Sequence, residues 1–401
     1  MFLRIFYIGG MIKMDRKGKQ NFQYTAMIVL SLFAIYIRYA GRDYISGDFE
    51  SCLYPWYLEI LNAGPGIEAL QAYTGDYAMP YAFIIWLMTK VPVPFLYSLK
   101  FLNGTFDFAL AVLGGKIVQY FKKGDFNGFI WGYCTILLMP NVFMNSCYWG
   151  QCDGMYTSFL LAAILCLLYK KYPWMMVFLG LTLSFKLQAV FVLPFILIVY
   201  WVRKEFSVLL FSLIPITMLI MNIPAVIAGY SPMITFVKYM GQTESYPWLY
   251  YFYPNLWFFF QARPYYQFST SAILLAISAL LIFIVLFIHK KIRLTTENIL
   301  PVLLWTVYTC VFFLPSMHER YGFFAEIVAM IMAVVYVRSS WIAIGMIVCI
   351  LPKYLWAMDV IGNPVNLQMA AAVGNTAVYI TFTCILWHRL FEQGRLGHAE
   401  V

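Results

Sequence analysis

STSAILLAISALLIFIVLFIH, residues 269–289, contains no Asp, Glu, Lys or Arg and runs directly into the basic cluster His289-Lys290-Lys291-Ile292-Arg293. At helical rise a 21-residue stretch is about 31 Å long, the thickness of a bilayer's hydrocarbon core. A charge-free helix of that length, closed by cations, reads as a membrane span whose basic end faces the cytoplasm.

The rest of the chain has the same character. Of its 401 residues, 63% are hydrophobic and 11% are charged, against about 25% charged in soluble domains. A water-soluble core of this length cannot hide so much apolar side chain. The aromatic content of 19% suits interfacial belts and the walls of a site. A net charge of +9 invites a nucleic-acid reading, but the cations lie in short clusters between apolar runs, as in cytoplasmic loops. The clusters are Lys13 to Lys19, Lys122-Lys123, Lys170-Lys171, Arg203-Lys204, His289 to Arg293, Arg338, and Arg389 with Arg395. No nucleic-acid partner is expected; the lipid bilayer is.

Placing every basic cluster on the cytoplasmic side gives an all-α, polytopic transmembrane bundle of about twelve spans. They are 21–38, 96–121, 126–145, 153–169, 172–185, 188–202, 205–228, 269–289, 297–315, 321–337, 340–357 and 369–388. Both termini then fall in the cytoplasm. Residues 79–94 carry Lys90 and the helix-breaking Val91-Pro92-Val93-Pro94. They read as a helix on or dipping into the outer surface rather than a span, because a crossing there would put Lys122-Lys123 outside. Two long outer loops follow, 39–95 and 229–268. With no internal repeat or linker, 1–401 reads as one integral membrane domain.

Met1 to Gly10 is too short for a cleavable signal peptide, and its basic segment follows rather than precedes it. The eight cysteines show no metal spacing. Most read as small buried hydrophobes. Cys147 and Cys152 flank one loop and could pair in an oxidising compartment. His289, His388 and His398 lie on the basic side and read as interfacial residues.

Four polar groups gather on the outer face. They are Ser46-Gly47-Asp48-Phe49-Glu50, with Asp43 nearby; Tyr148-Trp149-Gly150-Gln151-Cys152-Asp153; Ser184-Phe185-Lys186-Leu187-Gln188; and Met317-His318-Glu319-Arg320-Tyr321. Taken alone, Asp48 and Glu50 read as a solvated loop face, Asp153 as a helix cap and Lys186 as a snorkelling lysine. Gln188 beside Lys186 favours a polar cavity. Three adjacent ionisable residues at 318–320, beside a span, point to function, since charges there need partners. Asp107, inside the second span, needs a partner too, with Lys100 and Lys186 as candidates.

The set of an acidic motif after the first span, Y-W-G-Q-x-D, S-F-K-L-Q and M-H-E-R-Y resembles bacterial relatives of the eukaryotic mannosyltransferase that adds the second mannose of the GPI anchor. That group belongs to the GT-C superfamily of polytopic glycosyltransferases. The resemblance runs from about Asp43 to Tyr321; Cys152 stands where a small aliphatic residue is usual. It implies a GT-C-like fold in the plasma membrane, a polyprenyl-phosphate sugar donor, a glycolipid or glycan acceptor, and an extracytoplasmic active site. It also implies an essential carboxylate in the first outer loop, at Asp48 with Glu50 as second candidate.

Elementary chemistry gives the same assignments. Sugar transfer from a lipid phosphate needs a base at the acceptor hydroxyl. The departing phosphate needs cations and hydrogen-bond donors, for which Arg320, Lys186 and His318 are available. Gln151, Asp153, Gln188, Glu319 and Tyr321 suit sugar hydroxyls, with Trp149 as a stacking wall. The motifs specify no cofactor, although a divalent metal could bridge Asp48, Glu50 or Asp153 to the phosphate. The expected reaction is inverting hexose transfer, with mannose favoured by the resemblance. The alternatives are a twelve-span secondary transporter, which would show related halves and midplane ligands, and a polysaccharide polymerase or ligase.

Overall fold

The computed structural model describes residues 16–242 and 246–399, and every regular element among them is helical. Met1–Gly10, Lys13 and the two chain ends, whose placement was expected to be cytoplasmic, lie outside the described residues. So do the side chains of Arg16, Lys17, Lys19, Arg395 and His398.

The principal helices are α1 (Arg16–Ala40), α2 (Tyr54–Asn62), α3 (Met79–Met88), α4 (Phe95–Phe121), α5 (Phe126–Leu137), α6 (Asp153–Leu168) and α7 (Tyr172–Phe185). They continue with α8 (Leu193–Arg203), α9 (Leu213–Met221), α10 (Tyr265–His289), α11 (Ile299–Phe313), α12 (Phe323–Val335), α13 (Ser340–Ala357) and α14 (Val365–Ala399). Five helical stretches are long and apolar enough to cross a membrane: Gln20–Ala40, Phe95–Phe121, Tyr265–His289, Val337–Ala357 and Val365–Leu390.

Each of the other seven expected spans contains helix, but in shorter pieces. The 126–145 segment is not one helix. α5 stops at Leu137 because Met139, which precedes Pro140, is forced into an extended conformation. The chain then makes the short helix Pro140–Phe143 and a π-helical turn, Met144–Tyr148. The short helices are largely the interior ones. α11 is buried at every position except Pro301 and Phe313, and at 15 residues it reaches about 22 Å. A helix surrounded by protein need not match the lipid thickness, because neighbouring chain satisfies its ends. α3, with 10 residues, is about 15 Å long and too short to cross. It packs against α2 and α7.

Close packing sets the bundle's geometry. α4 and α5 form a hairpin in which a Cβ on Gly115 would sit 2.8 Å from the Phe129 carbonyl oxygen. One on Gly132 would sit 3.0 Å from Gly115 Cα. Only small residues allow backbones this near, the usual device where lipid supplies no hydrophobic drive. α1 is pinned to α4 by an ion pair in which Arg38 Nε donates to Asp107 Oδ2 at 2.8 Å. Arg38 also donates to the Leu137 carbonyl at 3.0 Å, tying in α5. Asp107 therefore takes Arg38 as its partner, neither Lys100 nor Lys186. Lys100 instead donates to the carbonyls of Gly41, at 2.6 Å, and Tyr44.

Candidate functional site

Two π-helical turns shape one end of the bundle. Asp48 immediately precedes the turn Phe49–Leu53, and Trp149 follows the turn Met144–Tyr148. Such turns place side chains where a regular helix could not. Gly150, at φ +82°, then reverses the chain in a conformation that glycine adopts freely. Asn103 holds that bend by donating to the Gly150 carbonyl at 3.0 Å. Ser46 donates to the Trp149 carbonyl at 2.6 Å, joining the first loop to this one.

The loop between α11 and α12 is laced to the aromatic segment before α10. Ser316, also at positive φ, donates through its hydroxyl to the carbonyls of Tyr246 and Trp248 at 2.8 and 2.9 Å. Tyr253 donates its N–H to the Met317 carbonyl at 3.1 Å. These bonds hold His318, Glu319 and Arg320 against the other two loops.

The result is a cleft of about 380 Å³ whose lining includes Asp48, Trp56, Asp76, Tyr77, Trp149, Gln151, Tyr246, Tyr251, His318, Glu319, Arg320 and Asp359. Asp48 Oδ2 accepts from Trp149 Nε1 at 3.1 Å and from Gln151 Nε2 at 2.5 Å, and lies 3.4 Å from Arg320 Nη1. Gln151 Oε1 accepts from the Tyr77 hydroxyl at 2.8 Å. Arg320 Nη1 donates to Glu319 Oε1 at 3.1 Å, and its guanidinium lies over the Trp149 ring at 5.3 Å. Behind this wall, Asp153 is fully buried. One oxygen pairs with Lys186, the other accepts from Asn145 Nδ2 at 2.8 Å, and Arg320 Nε stands 3.9 Å away.

The site is mixed in charge. Asp48, Asp76, Glu319 and Asp359 line the cleft, and among the described lining residues Arg320 is the one permanent cation. Burial pushes the carboxyls of Asp76 and Glu319 above their ordinary values, with Arg320 pulling both back. Burial holds the His318 imidazole well below its usual value, and the nearby cations Arg320 and Lys186 push it the same way. The ring is boxed by Tyr246, Tyr251 and Tyr321 at centroid distances of 4.6, 4.4 and 4.8 Å. His318 thus offers a neutral imidazole near pH 7, where a third phosphate-binding cation was expected.

Of the residues expected from sequence, Asp48, Trp149, Gln151, His318, Glu319 and Arg320 line the cleft. Asp153 and Lys186 form the ion pair behind it, and Gln188 and Tyr321 line a small adjoining cavity. Glu50 does not join them. It is exposed and lines a separate groove with Tyr54, Tyr57 and Phe95. Helical geometry explains this: two positions apart on a turn, side chains point to different faces. The Asp48–Glu50–Asp153 metal set therefore does not assemble, and among the described residues no three His, Cys, Asp or Glu side chains form a metal-holding group. Cys147 and Cys152 are both free and buried, with Cys147 Sγ 3.8 Å from the Lys100 carbonyl oxygen.

Sequence reasoning missed Asp76, Tyr77 and the Tyr246–Tyr251 wall. The signal for the first two was Thr74-Gly75-Asp76-Tyr77, a polar island before an apolar helix. Asp359 follows the end of α13 and carries no motif. Compared with models of known protein families and with curated proteins, the chain matches none.

Proposed function

We propose that this chain is a polytopic, twelve-span, GT-C-like glycosyltransferase of the plasma membrane. It transfers a hexose, mannose by the resemblance, from a polyprenyl-phosphate carrier to a lipid-linked or cell-surface glycan acceptor on the extracytoplasmic face. One observation supports this reading above others. Four motifs far apart in sequence contribute Asp48, Gln151, Asp153, Lys186 and Arg320 to a single cluster of hydrogen bonds and ion pairs at and behind one cleft. In a chain with 11% charged residues, so many partnered charges at one place are costly without a polar ligand.

In this mechanism Asp48 receives the proton of the acceptor hydroxyl. Trp149 and Gln151 hold one of its carboxylate oxygens, and no hydrogen bond among the described residues engages the other. The hydroxyl oxygen attacks the anomeric carbon from the face opposite the phosphate, the carbon–phosphate oxygen bond breaks, and the sugar inverts. Arg320 supplies charge to the departing phosphate, which leaves as an anion without a general acid. Lys186 neutralises Asp153, which leaves the guanidinium available to face the cleft. Trp149, Trp56 and Tyr77 supply ring faces for the sugar.

The test is direct. Purified protein in lipid is incubated with polyprenyl-phosphate mannose or glucose and glycolipid acceptors, and radiolabel is followed. The reading expects label to move from one donor to an acceptor. If every donor stays intact across the acceptor panel, the reading is wrong.

A further inference from the structure

Beside the cleft lies a second cavity of about 40 Å³, and Asp76, Tyr77, Tyr246, His318 and Arg320 line both. Its remaining wall includes Phe185 and Gln188. Four buried polar atoms on its lining residues have no hydrogen-bond partner: Asp76 Oδ1, Gln188 Oε1, His318 Nε2 and Arg320 Nε. Two are acceptors, the guanidinium Nε–H is a donor, and a neutral imidazole nitrogen can be either. His318 is 8% exposed, so water outside the protein does not satisfy it. Buried polar groups left unmatched cost roughly 1–3 kcal/mol each; Arg320 Nε has the Asp153 carboxylate 3.9 Å away, and the other three at one small cavity imply a polar occupant.

About 10–15 Å³ of such volume already holds a water, so this space takes a water or a small polar group. A substituent projecting from a ring in the adjoining cleft is of that size. A hydroxyl donates once and accepts up to twice, so it can pair with one of the acceptors and with the donors among these atoms. The Phe185 and Tyr77 rings offer apolar contact to a carbon carrying it. Among the polar substituents of a hexopyranose, only the exocyclic hydroxymethyl stands off the ring on its own carbon.

Building on the glycosyltransferase reading, we propose that this side cavity is a hydroxymethyl subsite. It would accept the terminal CH2OH of a hexose bound in the main cleft and so select hexoses over pentoses and 6-deoxyhexoses. The geometry sets the direction of selection. A sugar lacking the hydroxyl leaves these polar atoms without that partner or traps a water in a place it cannot share with the ligand, and sites built to bond a hydroxyl discriminate strongly against analogues without one.

The experiment measures binding as well as turnover. Quenching of intrinsic tryptophan fluorescence is titrated with methyl mannoside, its 6-deoxy analogue and the matching pentoside, using the full chain in detergent micelles. The subsite expects the hexoside to bind at least roughly tenfold more tightly than the other two. Gln188→Leu should erase most of that preference, and Asp76→Asn should reduce it. Equal affinities, no binding of any sugar, or a preference that survives Gln188→Leu would each overturn the proposal, the last meaning that the cavity holds water only. Radiolabel transfer by the same preparations separates the two ideas: transfer without hexose preference overturns the subsite and leaves the enzyme reading standing, whereas hexose-selective binding without transfer from any donor does the reverse.

Discussion

Arg320 Nη1 lies 3.4 Å from Asp48 Oδ2 and 3.1 Å from Glu319 Oε1, with the guanidinium 5.3 Å above the Trp149 ring. One flat cation thus touches the carboxylate assigned as base, a neighbouring buried carboxyl and the aromatic wall. Lysine has the charge but not the planar fork. Arg320→Lys should therefore preserve folding while lowering kcat/KM for transfer on the order of 100-fold, the usual effect of losing a positioned donor to developing charge. Rates within a fewfold of wild type would remove Arg320 from the mechanism.

Lys186 and Asp153 should be coupled in stability. Their side chains are 6% and 1% exposed, so removing one partner strands the other's charge. Lys186→Met should cost roughly 3–5 kcal/mol, and adding Asp153→Asn should restore a large part of it. Thermal unfolding in one detergent compares the single and double variants. Additive losses would mean that the pair does not act as a unit.

Stability should fall on mild acidification because of His318. Its folded-state pKa lies below the ordinary 6.5, so in that window the unfolded chain binds the extra proton. Stability is then fully present above about 6.5 and declines as pH falls toward the folded value. Glu319 works in the opposite sense. Its folded pKa is raised from 4.5, so its contribution is present below 4.5 and is lost as pH rises through the folded value. His318→Gln should flatten the decline in Tm between pH 7 and 5.5, and Glu319→Gln should remove the opposing contribution that sets in above pH 4.5. A parallel decline in all three proteins would assign the effect elsewhere.

The helical class was legible in 269–289, and the four polar motifs were legible as a group because charge is so scarce in this chain. Their partners were less so. Asp107 demanded a cation, and Lys100 and Lys186 were the candidates by sequence; Arg38 takes the place because α1, packed on α5, brings its guanidinium to Asp107. Glu50 and Asp48 looked equivalent in a string of letters, and the turn at 49–53 separates them. Pro140 signalled the break in 126–145, yet an apolar run on both sides hid it. Asp76 and Asp359 lie in segments where a single acid among loop residues has many ordinary explanations.

Sidedness can be tested at two exposed positions. Glu50 is exposed beside the cleft, and Gly124 lies in the tight α4–α5 turn next to Lys122 and Lys123. The proposed orientation puts position 50 outside and position 124 in the cytoplasm. Against a background without reactive cysteines, Glu50→Cys should label with a membrane-impermeant maleimide in intact cells. Gly124→Cys should label only after permeabilisation. Its positive φ disfavours a side chain, so Lys123→Cys serves as the companion. Labelling of both turns in intact cells would break the topology.

The last prediction concerns the base. Asp48 is partly exposed, its side chain 35% accessible, and an acceptor can reach it. Asp48→Asn keeps the shape and can still accept at Oδ1 from Trp149 or Gln151, so the fold should survive. It removes the proton acceptor, and turnover should drop at least ~100-fold, the scale of losing a general base. Glu50→Gln is the contrast, because Glu50 faces the separate groove with Tyr54 and Phe95 and should transfer at near wild-type rates. If Asp48 only held the loop through Trp149 and Gln151, asparagine would largely replace it and activity would persist. With a confirmed donor and unchanged Tm, that outcome would move the base to another cleft carboxylate, with Glu319 and Asp76 next in line.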